Sequence, residues 1–217
     1  MAVANPAFAQ YCEAIFELDE DEVEVIQARI AERLGVSRPA VSEMIRRLEA
    51  AELVEVEKSA ICLTSTGQVL AQQAVRRHRL AERFLTDVLK LSWAEAHHEA
   101  GKWEHVISEP VEAAMVGLLG DPTTCPHGNP IPGSAYAEPD YRPLAAVAVG
   151  VSFTVARIPE ELEFTPGLLD FLEESWLTPG RSGVIRAASP DGTLTVEVEG
   201  RPVGIGSFAA ERILVTT

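Results

Sequence analysis

Cysteine is scarce in this chain: Cys12, Cys62 and Cys125 are its only three in 217 residues, widely spaced and without a CxxC pair. Neither a disulfide framework nor a structural zinc site is indicated, and reduced thiols are expected. Long apolar runs are missing too. No stretch approaches the ~18 consecutive apolar residues of a membrane span. The opening "MAVANPAFAQYCEAIFE" has neither a basic segment nor an apolar run long enough for a signal peptide, so the expectation is a cytoplasmic protein with no membrane partner. Bases are few: 18 Lys and Arg stand against 33 Asp and Glu, a formal net charge of −15. Such a chain is not built to coat nucleic acid non-specifically, because phosphate binding rests mainly on Lys and Arg. Internal repeats and low-complexity tracts are absent as well. What remains, 47% hydrophobic and 24% charged, suits one large or two modest globular domains.

Residues 8–18 place Phe8, Tyr11, Cys12, Ile15, Phe16 and Leu18 near i, i+3, i+4, i+7 spacing, which predicts an amphipathic helix. In "IQARIAERLGVSRPAVSEMIRRLEAAELV" a helix from about 25 ends at Leu34, where Gly35 can supply a left-handed C-cap. Ser37 is placed to N-cap the next helix, with Pro39 in its first turn, where a missing N–H does no harm. Helix, short Gly-containing turn and helix make a helix-turn-helix, and "LVEVEK" with "AICLTST" predicts a hairpin wing behind it. Two long helices are expected at 66–91 and 94–118. The Pro- and Gly-rich stretch 121–143 reads as a linker. From about 147, short β-rich runs separated by "SPDGT" and "EGRP" predict a small antiparallel barrel.

Residues 29–58 balance six bases against six acids, so DNA contact must come from placement rather than net charge. A recognition helix from Arg38 to about Ala50 would present Ser37, Arg38, Pro39, Ser42, Glu43, Arg46 and Arg47 towards a major groove. Glu43 would be repelled by phosphates but can accept from cytosine N4. Four of the five histidines fall within residues 78–105. His78 and Glu82 share a helix face at i, i+4, and His97, Gly101, Glu104 and His105 share another at i, i+4, i+7, i+8. At ~1.5 Å rise per residue, His97 and His105 lie roughly 12 Å apart, too far for one ion with ligands at ~2.0–2.3 Å. If these residues bind metal, they form two sites. Imidazole with carboxylate suits divalent first-row metals.

"ARIAERLGVSRPAVSEMIRRLE", "LTSTGQVLA", "RRHRLAERFLTDVL", "HHEAGKWEHVISEPVE" and "HGNPIPG" resemble the metal-dependent repressors related to the diphtheria toxin repressor, the iron-dependent regulators and the manganese transport regulators. The resemblance covers essentially the whole chain. It implies an α+β fold with a winged helix-turn-helix (1–75), a helical dimerisation and metal domain (76–138), a linker (139–146) and an SH3-like β-barrel (147–217). It also implies an ancillary metal site of His78, Glu82 and His97, completed by Glu160 and Glu163 of the barrel. For the primary site it implies Glu104 and His105, with the backbone carbonyl at Gly101. The position of the family's usual methionine or aspartate is Gln10, that of its cysteine or glutamate is Gly101, and Glu13 matches a carboxylate of manganese-responsive members. These departures leave the metal identity open.

The expectation is therefore a homodimeric repressor, not an enzyme, that binds double-stranded operator DNA and senses Fe(II) or Mn(II) at two sites per chain to control metal homeostasis genes. Co(II), Ni(II), Zn(II) or Cd(II) would substitute in vitro. Two alternatives stand beside it: a winged-helix regulator that senses an organic ligand, and a His/Glu metallohydrolase.

Overall fold

The computed structural model describes residues 5–217. Helix α1 (Pro6–Glu20) starts at Asn5, whose Oδ1 accepts from the Ala7 N–H at 3.1 Å. Its stripe of Tyr11, Cys12, Ile15 and Leu18 enters a first core, where Cys12 is fully buried. Helix α2 (Gln27–Leu34) stops at Gly35, whose φ of 63° is the left-handed C-cap expected of it. Helix α3 (Arg38–Ala50) starts at Ser37, whose Oγ accepts from the Ala40 N–H at 3.4 Å, with Pro39 in the first turn. The wing follows as β1 (Val54–Glu57) and β2 (Ala60–Leu63), paired antiparallel from Val54 opposite Leu63 to Glu57 opposite Ala60.

Helix α4 (Ser65–Asp87) runs unbroken for 23 residues. At its start a Cβ on Gly67 would sit 1.9 Å from the Leu53 carbonyl oxygen, so only glycine lets the helix press against the strand entry there. Ala71 belongs to the winged-helix core, whereas Ala81 and Leu85 belong to the core of the helical domain. One rod thus spans both. Helix α5 (Trp93–Trp103) opens with a reciprocal capping box between Ser92 and Glu95. The single helix predicted over 94–118 is in fact two, because α6 (Glu109–Leu119) restarts from Ser108 with Pro110 in its first turn. A proline inside a continuous helix would remove a hydrogen bond and clash with the preceding turn, so the chain breaks ahead of it.

The C-terminal part contains β3 (Arg142–Pro143), a 3-10 turn (Leu144–Ala146), β4 (Ser152–Arg157), α7 (Glu160–Glu163), α8 (Leu168–Glu174), β5 (Ser182–Ala188), β6 (Leu194–Val198), β7 (Arg201–Ile205), α9 (Ser207–Ala210) and β8 (Leu214–Thr216). The expected barrel takes the form of a six-stranded antiparallel sheet in the order β3-β8-β4-β5-β6-β7, with register shifts in β4 and β5. Phe153, Val155, Ile185, Val196, Ile205 and Val215 fill its core. Each fully buried side chain of this size contributes about 1.5–3 kcal/mol relative to exposure. Trp93 of α5 belongs to the same core, so the sheet and the helical domain share it.

The segment expected as a linker behaves differently. Residues 142–146 join the C-terminal unit, with β3 paired to β8 and Leu144 fully buried. Upstream, 121–133 carries no helix or strand, as its composition predicts, yet Cys125, His127, Asn129 and Ile131 are buried. Backbone hydrogen bonds hold it instead: Cys125 N–H to the Asn129 carbonyl at 2.9 Å, and Ile158 N–H to the His127 carbonyl at 2.8 Å. Among the described residues no helix is long and apolar enough to cross a membrane.

Candidate metal centre

The five expected ancillary residues converge from three elements. On α4, His78 Nε2 lies 3.3 Å from Glu82 Oε1, and His97 Nδ1 of α5 lies 2.9 Å from the same oxygen. Helix α7 adds Glu163, whose Oε2 is 3.1 Å from His97 Nδ1. Donor atoms of His97, Glu160 and Glu163 all fall within 4.8 Å of one another. Glu160 is also held by an arginine, its Oε1 accepting from Arg79 Nε at 3.2 Å and Nη2 at 3.0 Å.

The primary set assembles only in part as expected. Glu13, His78 and Glu104 form a buried cluster, with His78 Nδ1 2.5 Å from Glu104 Oε2. Gln10 and His105 are exposed on the rim of the adjoining cleft of about 710 Å³, although His105 Nε2 reaches within 3.4 Å of Glu104 Oε1. Gly101 lines that cleft too, and a Cβ there would meet nothing within 4 Å. The spacing argument put His78 with Glu82 alone; in the structure its Nε2 faces Glu82 and its Nδ1 faces Glu104.

One residue, His127, escaped the sequence reading, and Cys125 entered it only as a possible thiolate donor. His127 Nδ1 lies 2.8 Å from Glu163 Oε2 and 3.5 Å from Glu82 Oε1, and Cys125 Sγ lies 3.8 Å from the same nitrogen. The signal for His127 was its place two residues after Cys125, within a stretch whose proline and glycine content read as linker.

The belt is crowded with acid. Burial and repulsion from Glu104 and Glu17 hold the Glu13 carboxyl well above its usual range. Burial, with Glu160 adding to it against the pull of Arg33, brings Glu17 to about 8. Burial also opposes ionisation of Glu82, but His127 and His78 outweigh it and keep that carboxyl well below the usual range. For His97 burial disfavours the charged ring, yet its close contacts with the Glu163 and Glu82 carboxylates win and lift it to about 10. Protons on the histidines thus occupy the role of a cation between carboxylates. Several buried atoms find no hydrogen-bond partner among the described residues: Glu13 Oε1, Glu82 Oε2, Glu160 Oε2 and Glu163 Oε2. Each unpaired atom costs about 1–3 kcal/mol, a cost that coordination to a cation removes. The donor set therefore fits divalent ions.

The candidate DNA face is open. Ser37, Arg38, Pro39, Glu43, Arg46 and Arg47 are exposed and Ser42 is half-buried, while Val41, Ile45 and Leu48 turn into the core. Glu43 does not stand alone: its Oε2 accepts from Arg46 Nη2 at 2.7 Å. Arg47 folds back over the Phe8 ring at 5.4 Å.

Comparison with known proteins bears on both regions. Residues 6–60 match the model of the N-terminal DNA-binding domain of iron-dependent repressors, and residues 64–133 match that of their metal-binding and dimerisation domain. The chain is 37% identical over 202 residues to the iron-dependent repressor IdeR of Mycobacterium bovis, covering 88% of this chain and 87% of that protein. To the diphtheria toxin repressor of Corynebacterium jeikeium it is 48% identical over 124 residues, 57% of this chain and about half (52%) of that protein. A solved manganese-dependent transcriptional repressor in complex with manganese superposes with a TM-score of 0.86 at 34% identity, over 96% of this chain and 99% of that one.

Proposed function

The chain belongs to the family of iron- and manganese-dependent repressors that includes the diphtheria toxin repressor, a family of regulators rather than enzymes, and from that premise we propose that it is a homodimeric, metal-activated repressor of metal homeostasis genes. One observation carries the reading: Glu13 on α1 meets His78 on α4 and Glu104 at the end of α5 in a single buried cluster. Helix α1 also packs Tyr11, Ile15 and Leu18 into the winged-helix core. The angle of the DNA-reading unit is therefore tied to whether these acids can sit together.

A divalent ion supplies the positive charge that lets Glu13 and Glu104 both remain ionised at contact distance. Glu13 and Glu104 would hold one such ion, with Gln10, the Gly101 carbonyl and His105 closing it from the rim. Glu82, His97, Glu160 and Glu163, with His78 Nε2, would hold the second. Oxygen-rich donors with one imidazole favour Mn(II) or Fe(II) at the outer position, and Co(II), Ni(II), Zn(II) or Cd(II) would substitute in vitro. In a dimer the two α3 helices would enter successive major grooves of a palindromic operator through Ser37, Arg38, Pro39, Ser42, Glu43, Arg46 and Arg47. By linkage, operator binding must tighten metal binding by the same factor that metal tightens operator binding.

The test is operator affinity measured against free Mn(II) and Fe(II), with a chelator control. Specific binding should require metal and be lost in Glu13→Gln. Affinity that ignores both chelator and Glu13→Gln would overturn the proposal.

A further inference from the structure

Helix α1 ends in four consecutive acids, Asp19, Glu20, Asp21 and Glu22, with no base in its last turn. A helix C-terminus already carries a partial negative charge, so this ending is unfavourable taken alone. Its compensation comes from far along the chain. Arg157, at the end of β4, donates from Nη2 to Asp21 Oδ1 at 2.8 Å and to Glu20 Oε2 at 3.0 Å. The other Asp21 oxygen, Oδ2, accepts from the Glu161 N–H at 2.9 Å. Glu20 is shared with Arg79 of α4, whose Nη2 reaches its Oε2 at 2.6 Å. The Arg157 and Asp21 side chains are only 6% and 2% exposed, so salt and water screen this pair little.

Arg157 is aimed at α1 by its own strand. Phe153 and Val155 point into the sheet core, and strict alternation would send Arg157 after them. The pairing of β4 with β8 shifts register between Val155 and Arg157, and such a bulge re-aims the side chain beside it. Arg157 Nε then donates to Asn129 Oδ1 at 2.5 Å, which fixes the plane of the guanidinium. The consequence for α1 is mechanical. Glu13 and Glu20 lie two turns apart on this helix, so they share a face and are separated by ~10.5 Å along the axis. Held at Glu13 alone, the helix can swing about that point; held at both places, its axis is fixed. Tyr11, Ile15 and Leu18 of the same helix lie in the winged-helix core, so the axis of α1 carries the recognition helix with it.

We propose that Arg157 is a positioning residue for operator binding: by gripping Asp21 it lets the C-terminal sheet set the angle of the DNA-reading unit directly, beside the action of metal. This rests on the repressor reading above. Apolar side chains of similar volume would hold the two surfaces together as firmly, and the charged pair adds direction.

The test uses the full-length protein and a palindromic DNA selected from a random pool by the Mn(II)-loaded wild type. Burial lifts the Asp21 carboxyl to about 7 despite Arg157, so binding is measured at about pH 8, where both partners are charged. At saturating Mn(II), Arg157→Met should lower affinity for the selected DNA about tenfold, the scale of a coupling between distant sites. Asp21→Asn should lower it too, although the two variants change the net charge in opposite directions. Combined, they should lose no more than the larger single effect, and Arg157→Lys should recover part of the loss. Affinity for unrelated DNA should be unchanged, because the buried Arg157 contacts no phosphate. In the metal-free protein, the Asp21, Glu22 and Val23 amides should exchange hydrogen about tenfold faster in Arg157→Met, as loss of one charged hydrogen bond implies. Should Arg157→Met fail to fold, Asp21→Asn carries the test, since it keeps the shape of the group it replaces. Wild-type affinity that ignores Mn(II) would overturn the repressor reading and this inference with it. Wild-type affinity that needs Mn(II) and is matched by both variants would overturn this inference alone, as would equal losses on selected and unrelated DNA or unchanged exchange at the end of α1.

Discussion

The two nitrogens of His78 look onto two differently built ends of one ligand belt. Nδ1 meets Glu104 at 2.5 Å beside a cleft rimmed by Gln10 and His105, whereas Nε2 meets Glu82 at 3.3 Å in a chamber sealed by the 125–131 turn. Carboxylates and imidazoles meet at both ends, but the enclosure differs. The outer end joins α1 to α4 and α5, so its closure can move the DNA-reading unit. The inner end joins α4 and α5 to α7, so it fastens the C-terminal sheet to the rest. A carboxylate in the open cleft can fall back on water when its partner leaves; one in the chamber cannot.

Glu82→Gln should therefore have the largest effect. It leaves His78, His97 and His127 facing a neutral amide in a sealed space, a loss of about 3 kcal/mol, against about 1 kcal/mol for Glu104→Gln at the outer end. Urea denaturation of both metal-free variants at neutral pH measures this, and equal losses would abolish the distinction.

Protonation gives the next largest effect. Glu17 is lifted to about 8 and His97 to about 10 in the metal-free fold. Both folded values lie above the unfolded ones, near 4.5 and 6.5, so the native state holds the extra protons. Stability from His97 is complete below about pH 6.5 and is lost as pH rises through about 10, and Glu17 adds a parallel loss between about 4.5 and 8. Metal must displace the His97 proton, so Mn(II) affinity should climb from pH 7 to 9 with proton release, seen as a buffer-dependent heat of binding. Buffer-independent heats would mean that the inner end takes no part.

Gly101→Cys sharpens the comparison from outside. Its Cβ has free space, so a cysteine side chain fits there and would add a sulfur donor to the outer end. Competition titrations should show Zn(II), Co(II) and Ni(II) gaining about tenfold over Mn(II). Replacing glycine within α5 should also raise helix stability by about 0.5–1 kcal/mol whatever metal is present. The smallest effect is expected away from the belt. Glu43→Gln frees Arg46 from an exposed pair, and binding to unrelated DNA should rise by no more than about fivefold. A change of metal affinity in that variant would break the separation between belt and reading face.

Local patterns were the legible part. Gly35 and Ser37 punctuate the helix-turn-helix because caps depend on neighbours in sequence, and His78 with Glu82 follows from helical spacing alone. Glu160 and Glu163 needed the family resemblance, since nothing near them announces a partner 80 residues away. His127 was hidden because Pro126, Gly128 and Pro130 dominate its surroundings, and only the packing of that turn on β4 aims it inward. Spacing could place His78 on a face but could not reveal which carboxylate each nitrogen meets. The split at Pro110 was readable and was outweighed by apolar residues on either side of it.

Helix α4 carries a constraint on how this protein can change length. Gly67 locks its first turn against the Leu53 carbonyl, and His78 and Glu82 stand further along the same unbroken rod. Inserting a single residue between them would turn both ligands by ~100° about the axis and move them ~1.5 Å along it. They would then face away from Glu104 and His97. The distance from wing to metal is thus quantised, and this stretch can drift in composition but not in number.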